Sequence, residues 1–365
     1  MKKIRVALKG RSYDIVIGPG LFKKTGMLLK KLGLRQRDAV IVTNRRILDL
    51  CGRKLAGDLK KRGFTVTFLL VPDSEKAKSG EVAISLLNRI ADYDKYRRLF
   101  LIALGGGVVG DLTGFVASIY KRGVPYVQIP TTLLGQVDSS IGGKTAIDLP
   151  AAKNLAGAFY QPKIVICDTS ILKSLPRRQL KSGLAEIIKY GVIKDRGLFE
   201  YIEKNYARML SAEAAALEFA IARSAKIKAE VVSRDELDTK GLRVILNYGH
   251  TTGHAIESAG AYSGQYDHGE GVAIGMAAAA DMASALKMIS PGDAGRIKAL
   301  IKKCGLPLRA KGLSVSKIYG SIAHDKKFIR GRNRLVLPAG IGKVRVVEGV
   351  PERVIKEAIK GEKYG

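Results

Sequence analysis

Three of the four histidines lie close together in the C-terminal half of the sequence. His250, His254 and His268 fall within nineteen residues. His250 and His254 are four residues apart in a segment with helical spacing, so their side chains would share one face of a helix. Two histidines and one carboxylate leave an open coordination position, as catalytic zinc requires. This stretch therefore predicts a metal site.

Several carboxylates could complete that site, and spacing alone does not choose among them. The candidates are Glu186, Glu257 and Glu270. A zinc protease is disfavoured, because its motif places glutamate directly after the first histidine and Thr251 stands there instead. A satisfied core histidine is the simpler explanation for one histidine, but it does not account for a cluster. Metal binding is therefore favoured, with the ligands left open.

A glycine-rich turn follows a buried apolar run in the N-terminal half. Gly105, Gly107 and Gly110 satisfy the spacing G-x-G-x-x-G, and Asp111 follows them. Backbone amides at the start of a helix can bind a pyrophosphate, and glycines let it approach closely. However, the turn does not follow the first strand, and no acid about twenty residues later is placed to hold a ribose. On its own the turn is weak evidence for a nucleotide site, and a tight strand–helix crossover is the default explanation.

Hydroxyl groups, glycines and lysines are dense downstream of this turn. Gly143-Lys144-Thr145 is like the end of a P-loop. A P-loop also requires glycine five residues before Gly143, and Asp138 occupies that position, so the P-loop interpretation fails. The cluster still fits a phosphorylated ligand. Its members are Pro130-Thr131-Thr132, Asp138-Ser139-Ser140, Gly142-Gly143-Lys144-Thr145 and Lys153-Asn154.

The first half of the chain alternates between strand and helix patterns. Strand-like runs cover residues 39–43, 65–71, 99–104, 126–129 and 164–167, with helical patterns between several of them, such as 47–62 and 82–93. Residues 4–8 and 13–17 flank Gly10-Arg11 and predict a hairpin. This rhythm predicts an α/β N-terminal domain with a Rossmann-like parallel sheet.

From about residue 172 the pattern becomes mainly helical. Amphipathic or alanine-rich segments cover residues 178–192, 212–232, 247–259, 269–288 and 292–304, and a β-like segment covers 334–347. We therefore expect an α/β domain over residues 1–171 and a mainly α-helical C-terminal metal-binding domain over 172–365. Ligands of open parallel sheets lie beyond the carboxyl ends of the strands, so the cleft between the domains is the expected active site.

The chain carries a formal net charge of +30. Such a charge could indicate nucleic-acid binding. The basic residues are scattered, however, and no aromatic-interleaved RNA motif accompanies them. We therefore expect a solvated basic surface and an anionic substrate rather than a nucleic-acid partner. The basic pairs and triplets include Lys2-Lys3, Lys23-Lys24, Lys30-Lys31, Arg45-Arg46, Lys60-Lys61-Arg62 and Arg177-Arg178.

Composition also bears on the compartment. The longest apolar candidate, residues 271–289, is interrupted by Asp281 and Lys287 and predicts a buried helix rather than a membrane span. The first residues show no apolar signal-peptide core. The three cysteines are widely spaced and odd in number, which favours reduced thiols. A cytoplasmic enzyme without a membrane partner is the expectation.

Together these motifs closely resemble the sugar-phosphate cyclase family, and most strongly its 3-dehydroquinate synthase branch. The matching runs occur in the family's order with similar spacing, over nearly the whole chain. They cover residues 105–111, 129–134, 137–145, 153–159, 183–189, 241–243, 247–250, 253–255 and 268–270.

The resemblance implies a role for each candidate residue. Zinc, for which cobalt can substitute, would be held by Glu186, His250 and His268, and His254 would face the substrate phosphate. The residues implied in catalysis are Asp138, Lys144, Lys189, Arg243, Asn247 and His254. Those implied in substrate binding are Arg122, Lys144, Asn154, Lys228, Arg243, His254 and Lys326, with Lys327 as the alternative to Lys326. NAD would contact Asn44, Asp73, Glu75, Lys78, Gly106, Gly107, Asp111, Thr131, Thr132, Lys144 and Lys153.

The resemblance also implies a reaction. Members of the branch are carbon–oxygen lyases of the shikimate pathway for aromatic amino acids. They convert 3-deoxy-D-arabino-heptulosonate 7-phosphate to 3-dehydroquinate and phosphate. The implied steps are transient oxidation by NAD, phosphate elimination, re-reduction and intramolecular aldol closure. Residues 1–171 would then bind NAD and residues 172–365 zinc and substrate, in a homodimer to which Arg122 contributes across the interface.

Three other functions remain open on these motifs. A related cyclase would make an inosose or a valiolone from a substrate without a carboxylate. An iron- or zinc-dependent alcohol dehydrogenase has a similar two-domain plan but consumes NAD stoichiometrically. A nucleic-acid-binding module would explain the charge alone. Arg243 favours the 3-dehydroquinate synthase reaction over these three alternatives, because its guanidinium is well suited to a substrate carboxylate.

Overall fold

The computed structural model describes residues 1–34, 37–94, 98–260, 265–323 and 333–361. Their contacts divide the chain into two compact units. The first unit contains Met1–Leu175 and Leu217–Leu237, and the second contains Pro176–Ala216 and Asp238–Gly365.

The strands form one large sheet and two hairpins. The large sheet has seven strands in the order β1-β2-β9-β6-β5-β3-β4, and β7–β8 and β10–β11 form two-stranded sheets. The strands are β1 (Lys2–Val6), β2 (Tyr13–Gly18), β3 (Asp38–Thr43), β4 (Val66–Leu70), β5 (Leu99–Gly105), β6 (Tyr126–Pro130), β7 (Lys144–Leu149), β8 (Ala152–Phe159), β9 (Ile164–Asp168), β10 (Arg334–Pro338) and β11 (Val344–Glu348).

Helices account for most of the remaining regular structure. They are α1 (Thr25–Lys31), α2 (Arg45–Ile47), α3 (Arg53–Lys61), α4 (Gly80–Tyr93), α5 (Gly107–Ile119), α6 (Arg177–Lys194), α7 (Arg196–Leu210), α8 (Ala214–Arg234), α9 (His250–Ala259), α10 (His268–Ala285), α11 (Pro291–Lys303), α12 (Val315–Ala323) and α13 (Glu352–Lys360). Among the described residues, no helix combines the length and the apolar character that crossing a bilayer requires.

The large sheet is buried on both faces in the first unit. Every residue of β5 is buried. Phe100, Ile102 and Leu104 join the apolar cluster on one face, whereas Leu101 and Ala103 join the cluster on the other. A continuous apolar strand of this kind is typical of parallel sheets covered by helices. The predicted Rossmann-like parallel sheet is confirmed, and β1 and β2 form the predicted antiparallel hairpin at its edge.

Sheet order shows where a ligand of the first unit is expected. Strand β3 pairs with β4 on one side and with β5 on the other, all in parallel. The topological switch point therefore lies between β3 and β5, and crevices at switch points bind ligands beyond the carboxyl ends of the strands. Asn44 follows β3 at this edge, and Gly106 follows β5.

The hairpin of β7 and β8 is a feature that the sequence pattern does not predict. The two strands pair in antiparallel fashion, with Lys144 opposite Phe159. Most of β8 is exposed or half-buried, and it contains Gly157 and an Asn154 with a φ of +53°. A strand without a buried face shows no alternation of apolar and polar residues, so its composition resembles that of a loop.

The division of the chain differs from a single boundary after residue 171. The first unit extends to Leu175 and also includes Leu217–Leu237, most of which belongs to α8. Polar contacts tie that segment to the first unit. The Ser233 hydroxyl accepts a hydrogen bond from the Ala7 amide at 3.0 Å, and Arg11 pairs with Glu236 at 3.0 Å. Such long-range contacts are invisible to a pattern that reads α8 only as an alanine-rich helix.

The second unit is mainly helical, as its patterns indicate. Helices α6, α7 and α9 to α13 belong to it, together with the hairpin β10–β11 in the region of the predicted β-like segment. Helices α9 and α10 approach each other closely at Gly253 and Gly271. A Cβ atom on Gly253 would lie only 2.9 Å from the carbonyl carbon of Gly271. This close approach places the first turns of the two helices near each other.

Candidate active site

A buried carboxylate on α6 is the centre of the histidine cluster in the second unit. Glu186 is fully buried, and Lys189 lies one turn later with 1% of its surface exposed. The two side chains form an ion pair. A buried carboxylate is costly unless it is paired, so its neighbours compensate for the loss of water.

His250 approaches this carboxylate from the start of α9. The helix begins at His250 after Gly249, whose φ of +78° lies in the left-handed region that favours glycine. The Nε2 atom of His250 is 3.4 Å from Oε1 of Glu186. On the other side of the ring, Nδ1 lies 3.1 Å from the carbonyl oxygen of Tyr248. A proton on Nδ1 would be donated to that carbonyl, so Nε2 keeps a lone pair that faces Glu186.

His268 reaches the same oxygen from the start of α10. Asp267 caps this helix, and a capping box links it to Glu270. The Nε2 atom of His268 lies 3.2 Å from Oε1 of Glu186. Its Nδ1 atom lies 3.5 Å from Oε1 of Glu257. The first residues of two helices thus present equivalent ring atoms to one carboxylate.

The donor set of this cluster fits a zinc ion. One ligand atom from each of Glu186, His250 and His268 lies within 4.8 Å of the others. Two imidazoles and a carboxylate are common ligands of catalytic zinc and leave a position for substrate. Glu257 contacts the opposite ring nitrogen of His268, and Glu270 is engaged in the capping box and with Arg178 at 2.7 Å. The geometry thus favours Glu186 among the three carboxylates.

Protonation of the two histidines differs in the absence of metal. Burial lowers the pKa of His250 well below its ordinary value, and the charge of Lys189 lowers it further. Burial also opposes protonation of His268, but the adjacent carboxylates of Glu186 and Glu257 outweigh it and raise the pKa of His268 to about 10. A neutral His250 therefore stands beside a charged His268 that is held by two carboxylates.

Among the other second-unit candidates, the structure describes His254, Arg243 and Asn247. The ring of His254 lies 5.5 Å from that of His250, and the residue is exposed rather than part of the ligand group. Arg243 is 4% exposed and lies in a short 3-10 helix, Leu242–Asn247, that ends at Asn247. Lys326 and its alternative Lys327 lie outside the described residues.

In the first unit, the start of α5 is suited to an anion. The helix begins at Gly107 after Gly106, and no side chain caps its first amides. These amides and the helix dipole favour a phosphate group. The glycines also meet a packing need, since a Cβ atom on Gly107 would lie 3.0 Å from Oγ of Ser139 and one on Gly110 would lie 2.9 Å from Oε1 of Gln128. Both explanations of the turn, ligand approach and tight crossover, are thus compatible with the structure.

Two polar pairs flank the carboxyl edge of the sheet. The side-chain amide of Asn44 donates to Asp73 at 2.6 Å, while its oxygen accepts from the Ile47 amide. Lys78 is 3% exposed and pairs with Asp111 at 2.8 Å. Burial raises the pKa of Asp111, although the charge of Lys78 acts against the shift. The structure thus brings several of the predicted cofactor residues together in pairs at this edge.

The hairpin β7–β8 presents the remaining polar candidates. The side-chain oxygen of Asn154 accepts a hydrogen bond from Lys78, and the backbone N–H of Asn154 donates to Asp148 at 2.8 Å. Lys144 is exposed at the start of β7, and Lys153 lies 4.0 Å from Glu75. The hairpin therefore joins a predicted substrate residue to a predicted NAD residue within one unit.

Five further candidates lie elsewhere in the first unit. Lys228, on α8, pairs with Asp138 at 2.7 Å and also donates to its carbonyl oxygen. The Thr131 amide donates to the carbonyl of Gly105, and the Thr132 hydroxyl accepts from the Gly135 amide. Arg122 is exposed in a kinked turn, with a φ of +62°.

Two groups that contact the histidines were not assigned this position from sequence. One is the backbone carbonyl of Tyr248, which no residue pattern can identify. The other is Glu257, considered above only as a direct metal ligand. Its spacing of seven residues from His250 is a usable signal, since two helical turns return a side chain to nearly the same face.

Comparisons with known proteins agree with these features. The family model described as 3-dehydroquinate synthase N-terminal matches residues 68–182, and the one described as 3-dehydroquinate synthase C-terminal matches residues 183–328. The 3-dehydroquinate synthase of Pelotomaculum thermopropionicum is 46% identical over 362 residues, which cover 98% of this chain and 96% of the relative. That of Caldanaerobacter subterraneus is 46% identical over 356 residues, which cover 98% and 99%.

Solved structures extend the similarity to the whole fold. The 2-epi-5-epi-valiolone synthase of Streptomyces hygroscopicus, with NAD+ and Zn2+ bound, has a TM-score of 0.87, 29% identity and 97% coverage of each chain. A 2-deoxy-scyllo-inosose synthase complexed with carbaglucose-6-phosphate, NAD+ and Co2+ has a TM-score of 0.87 and 27% identity, covering 98% of this chain and 99% of the other. The sequence match to the family models and to relatives at nearly full length decides the family. The chain belongs to the 3-dehydroquinate synthase family.

Proposed function

We propose that this chain converts 3-deoxy-D-arabino-heptulosonate 7-phosphate to 3-dehydroquinate and phosphate, as a carbon–oxygen lyase of the shikimate pathway. The observation that carries the proposal is the convergence of Glu186, His250 and His268 in a chain that is 46% identical to 3-dehydroquinate synthases. The donor set and the uncapped start of α5 both suit the metal and nucleotide bound in related cyclases.

Zinc and NAD are the cofactors of this proposal, with cobalt as a substitute for zinc. Glu186, His250 and His268 would hold the metal, and the residues at the carboxyl edge of the sheet would hold NAD. When bound, zinc would supply Lewis-acid polarisation of a substrate oxygen and NAD would supply reversible hydride transfer. The buried pair of Lys189 and Glu186 would keep the carboxylate ionised for its role as a ligand.

The chain's cations would bind the two acidic ends of the substrate. Lys144, Asn154, His254 and Arg122 would hold the phosphate, and Arg243 would take the carboxylate. Asp138, which pairs with Lys228, and Lys189 would assist proton transfer. No side chain is assigned as a dedicated base for elimination, because the departing phosphate of the substrate can accept that proton itself.

The first prediction is catalytic use of NAD. Incubated with the seven-carbon sugar acid, the enzyme is expected to release phosphate and form 3-dehydroquinate in amounts far above its NAD content. NADH should not accumulate, because the hydride returns within each turnover. Phosphate, product and NADH absorbance can be followed in one reaction. One NADH formed per substrate consumed would instead favour the alcohol dehydrogenase reading.

We also propose that the enzyme is a cytoplasmic homodimer without a nucleic-acid partner. All three cysteines are buried thiols, which suits a compartment that keeps thiols reduced. Arg122 is exposed in a turn where Lys121 and Arg122 both have positive φ. Residues held in this region outside glycine are uncommon and often functional. Such a turn is suited to present the guanidinium to a neighbouring subunit.

The second prediction tests that arrangement by subunit mixing. Arg122→Ala and His250→Ala are each expected to be nearly inactive. In a mixed two-fold dimer, one site would carry both defects and the other neither, so free exchange should restore roughly a quarter of the wild-type activity. Activity after mixing and size-exclusion or mass-based measurement of subunit exchange provide the test. If subunits exchange and no activity returns, Arg122 serves its own chain or none.

A further inference from the structure

The two histidines at the metal site have different partners on their outer nitrogens. Nδ1 of His250 faces the neutral carbonyl oxygen of Tyr248 at 3.1 Å. Nδ1 of His268 faces a carboxylate oxygen of Glu257 at 3.5 Å. The Glu257 side chain is 14% exposed, so its interaction with the ring is largely shielded from water. Both rings therefore turn Nε2 towards Glu186, but only one has an anionic partner behind it.

Helix packing explains how Glu257 reaches this position. Glu257 follows His250 by two turns on α9, so both side chains lie on nearly the same face of the helix. That face packs against α10, because Gly253 and Gly271 have no side chains and let the backbones of the two helices come into contact. On Gly275 an added Cβ would overlap the carbonyl oxygen of Gly249. Close packing of the two helices therefore places the Glu257 carboxylate beside the first turn of α10.

This position distinguishes Glu257 from the metal ligands. The ligand atoms that converge belong to Glu186, His250 and His268. Glu257 lies instead against Nδ1 of His268, the ring nitrogen opposite the one that faces Glu186. A carboxylate on that side can orient the ring and select its tautomer, but it cannot coordinate the ion that Nε2 binds.

We propose that Glu257 is a positioning residue for the metal site. Its carboxylate accepts a hydrogen bond from the Nδ1–H group of His268. This contact holds the ring in place and keeps the Nε2 lone pair directed at the metal. Its negative charge also makes the imidazole a stronger donor than a neutral acceptor would. This inference rests on the zinc site of the proposed function. Outer partners of this kind typically contribute about 10- to 100-fold in metal affinity.

The third prediction measures this contribution by zinc affinity. Glu257→Ala is expected to weaken binding of zinc by about 10- to 100-fold in competition with a chromogenic chelator. Glu257→Gln should weaken it less, because the amide oxygen still accepts from Nδ1 but lacks the charge. Glu270→Gln is the matched control. It removes a carboxylate two residues from His268, yet glutamine can keep the capping box, so the affinity should stay close to wild type.

Two further measurements separate positioning from general loss of structure. Circular dichroism should show that metal-free Glu257→Gln is folded, and this variant carries the test if Glu257→Ala does not fold. The visible spectrum of the cobalt-loaded protein should shift in the Glu257 variants but not in Glu270→Gln, because only the former alter a ligand's donor strength.

The outcomes distinguish this inference from the proposed function. His250→Ala serves as the reference for loss of a direct ligand. If the wild type binds no zinc, or His250→Ala binds it equally well, the metal site itself is wrong. If zinc binding depends on His250 while both Glu257 variants match Glu270→Gln in affinity and cobalt spectrum, the positioning role is wrong and the zinc site stands.

Discussion

His250→Ala is expected to lose its bound metal, whereas His254→Ala keeps it. His250 directs Nε2 at Glu186 from a buried position, so its removal deletes one of three proposed ligands. His254 lies on the same helix but is exposed and outside the ligand group. Metal content by atomic absorption should fall to background in the first variant and remain near one ion per chain in the second. Turnover should fall in both, by roughly 10³-fold or more without the metal.

The two variants are expected to fail for different reasons. Removal of metal by a chelator should abolish wild-type turnover, and zinc or cobalt should restore it. His254→Ala should retain zinc but bind the phosphorylated substrate poorly, because it lacks a donor to the phosphate. Circular dichroism of both proteins checks that they are folded. Equal loss of metal from two folded variants would contradict the assignment of His250 as a ligand and His254 as a substrate residue.

The fold was predictable wherever burial imposes a pattern. Strand β5 is buried on both faces, so it appears in the sequence as an unbroken apolar run, and the parallel sheet follows from several such runs. Helices α6 and α10 are likewise recognisable from their apolar residues. By contrast, every residue of β8 is exposed or half-buried, so this strand has no apolar pattern to reveal it. The segment Leu217–Leu237 belongs to the first unit because of contacts between residues far apart in the sequence, such as that of Lys228 with Asp138, which a local pattern cannot show.

From spacing alone, the site was predictable to the level of residue types but not of roles. Clustered histidines indicated a metal, but spacing left three carboxylates possible, and only the resemblance to the family selected Glu186, which the geometry also favours. Glu186 is buried at the centre, Glu257 lies behind His268, and Glu270 belongs to a helix cap. Sequence spacing cannot make this distinction, because it depends on which helices pack together. The glycines that allow α9 and α10 to approach each other do not individually indicate in the sequence that these two helices pack together.

Arg243→Ala is expected to impair turnover only of a substrate that carries a carboxylate. Arg243 is 4% exposed, and a buried guanidinium suits a carboxylate that binds it through two hydrogen bonds. Turnover of the seven-carbon sugar acid should fall by roughly 10²- to 10³-fold in kcat/KM, as expected when a close charge pair loses one partner. A carboxylate-free analogue forgoes this contact in the wild type too, so its turnover should change little. Arg243→Lys keeps the charge without the planar fork and should fall between wild type and alanine.

Substrate preference of the wild type provides the control for this variant. Sedoheptulose 7-phosphate and glucose 6-phosphate lack the carboxylate, so both should react far more slowly than the sugar acid. Faster turnover of either would overturn the assignment and favour a valiolone- or inosose-forming cyclase. Arg243 could instead brace the 3-10 helix that leads to His250. In that case Arg243→Ala would lower zinc content and thermal stability together and would impair all three substrates alike, whereas a role in binding the carboxylate leaves metal and fold intact.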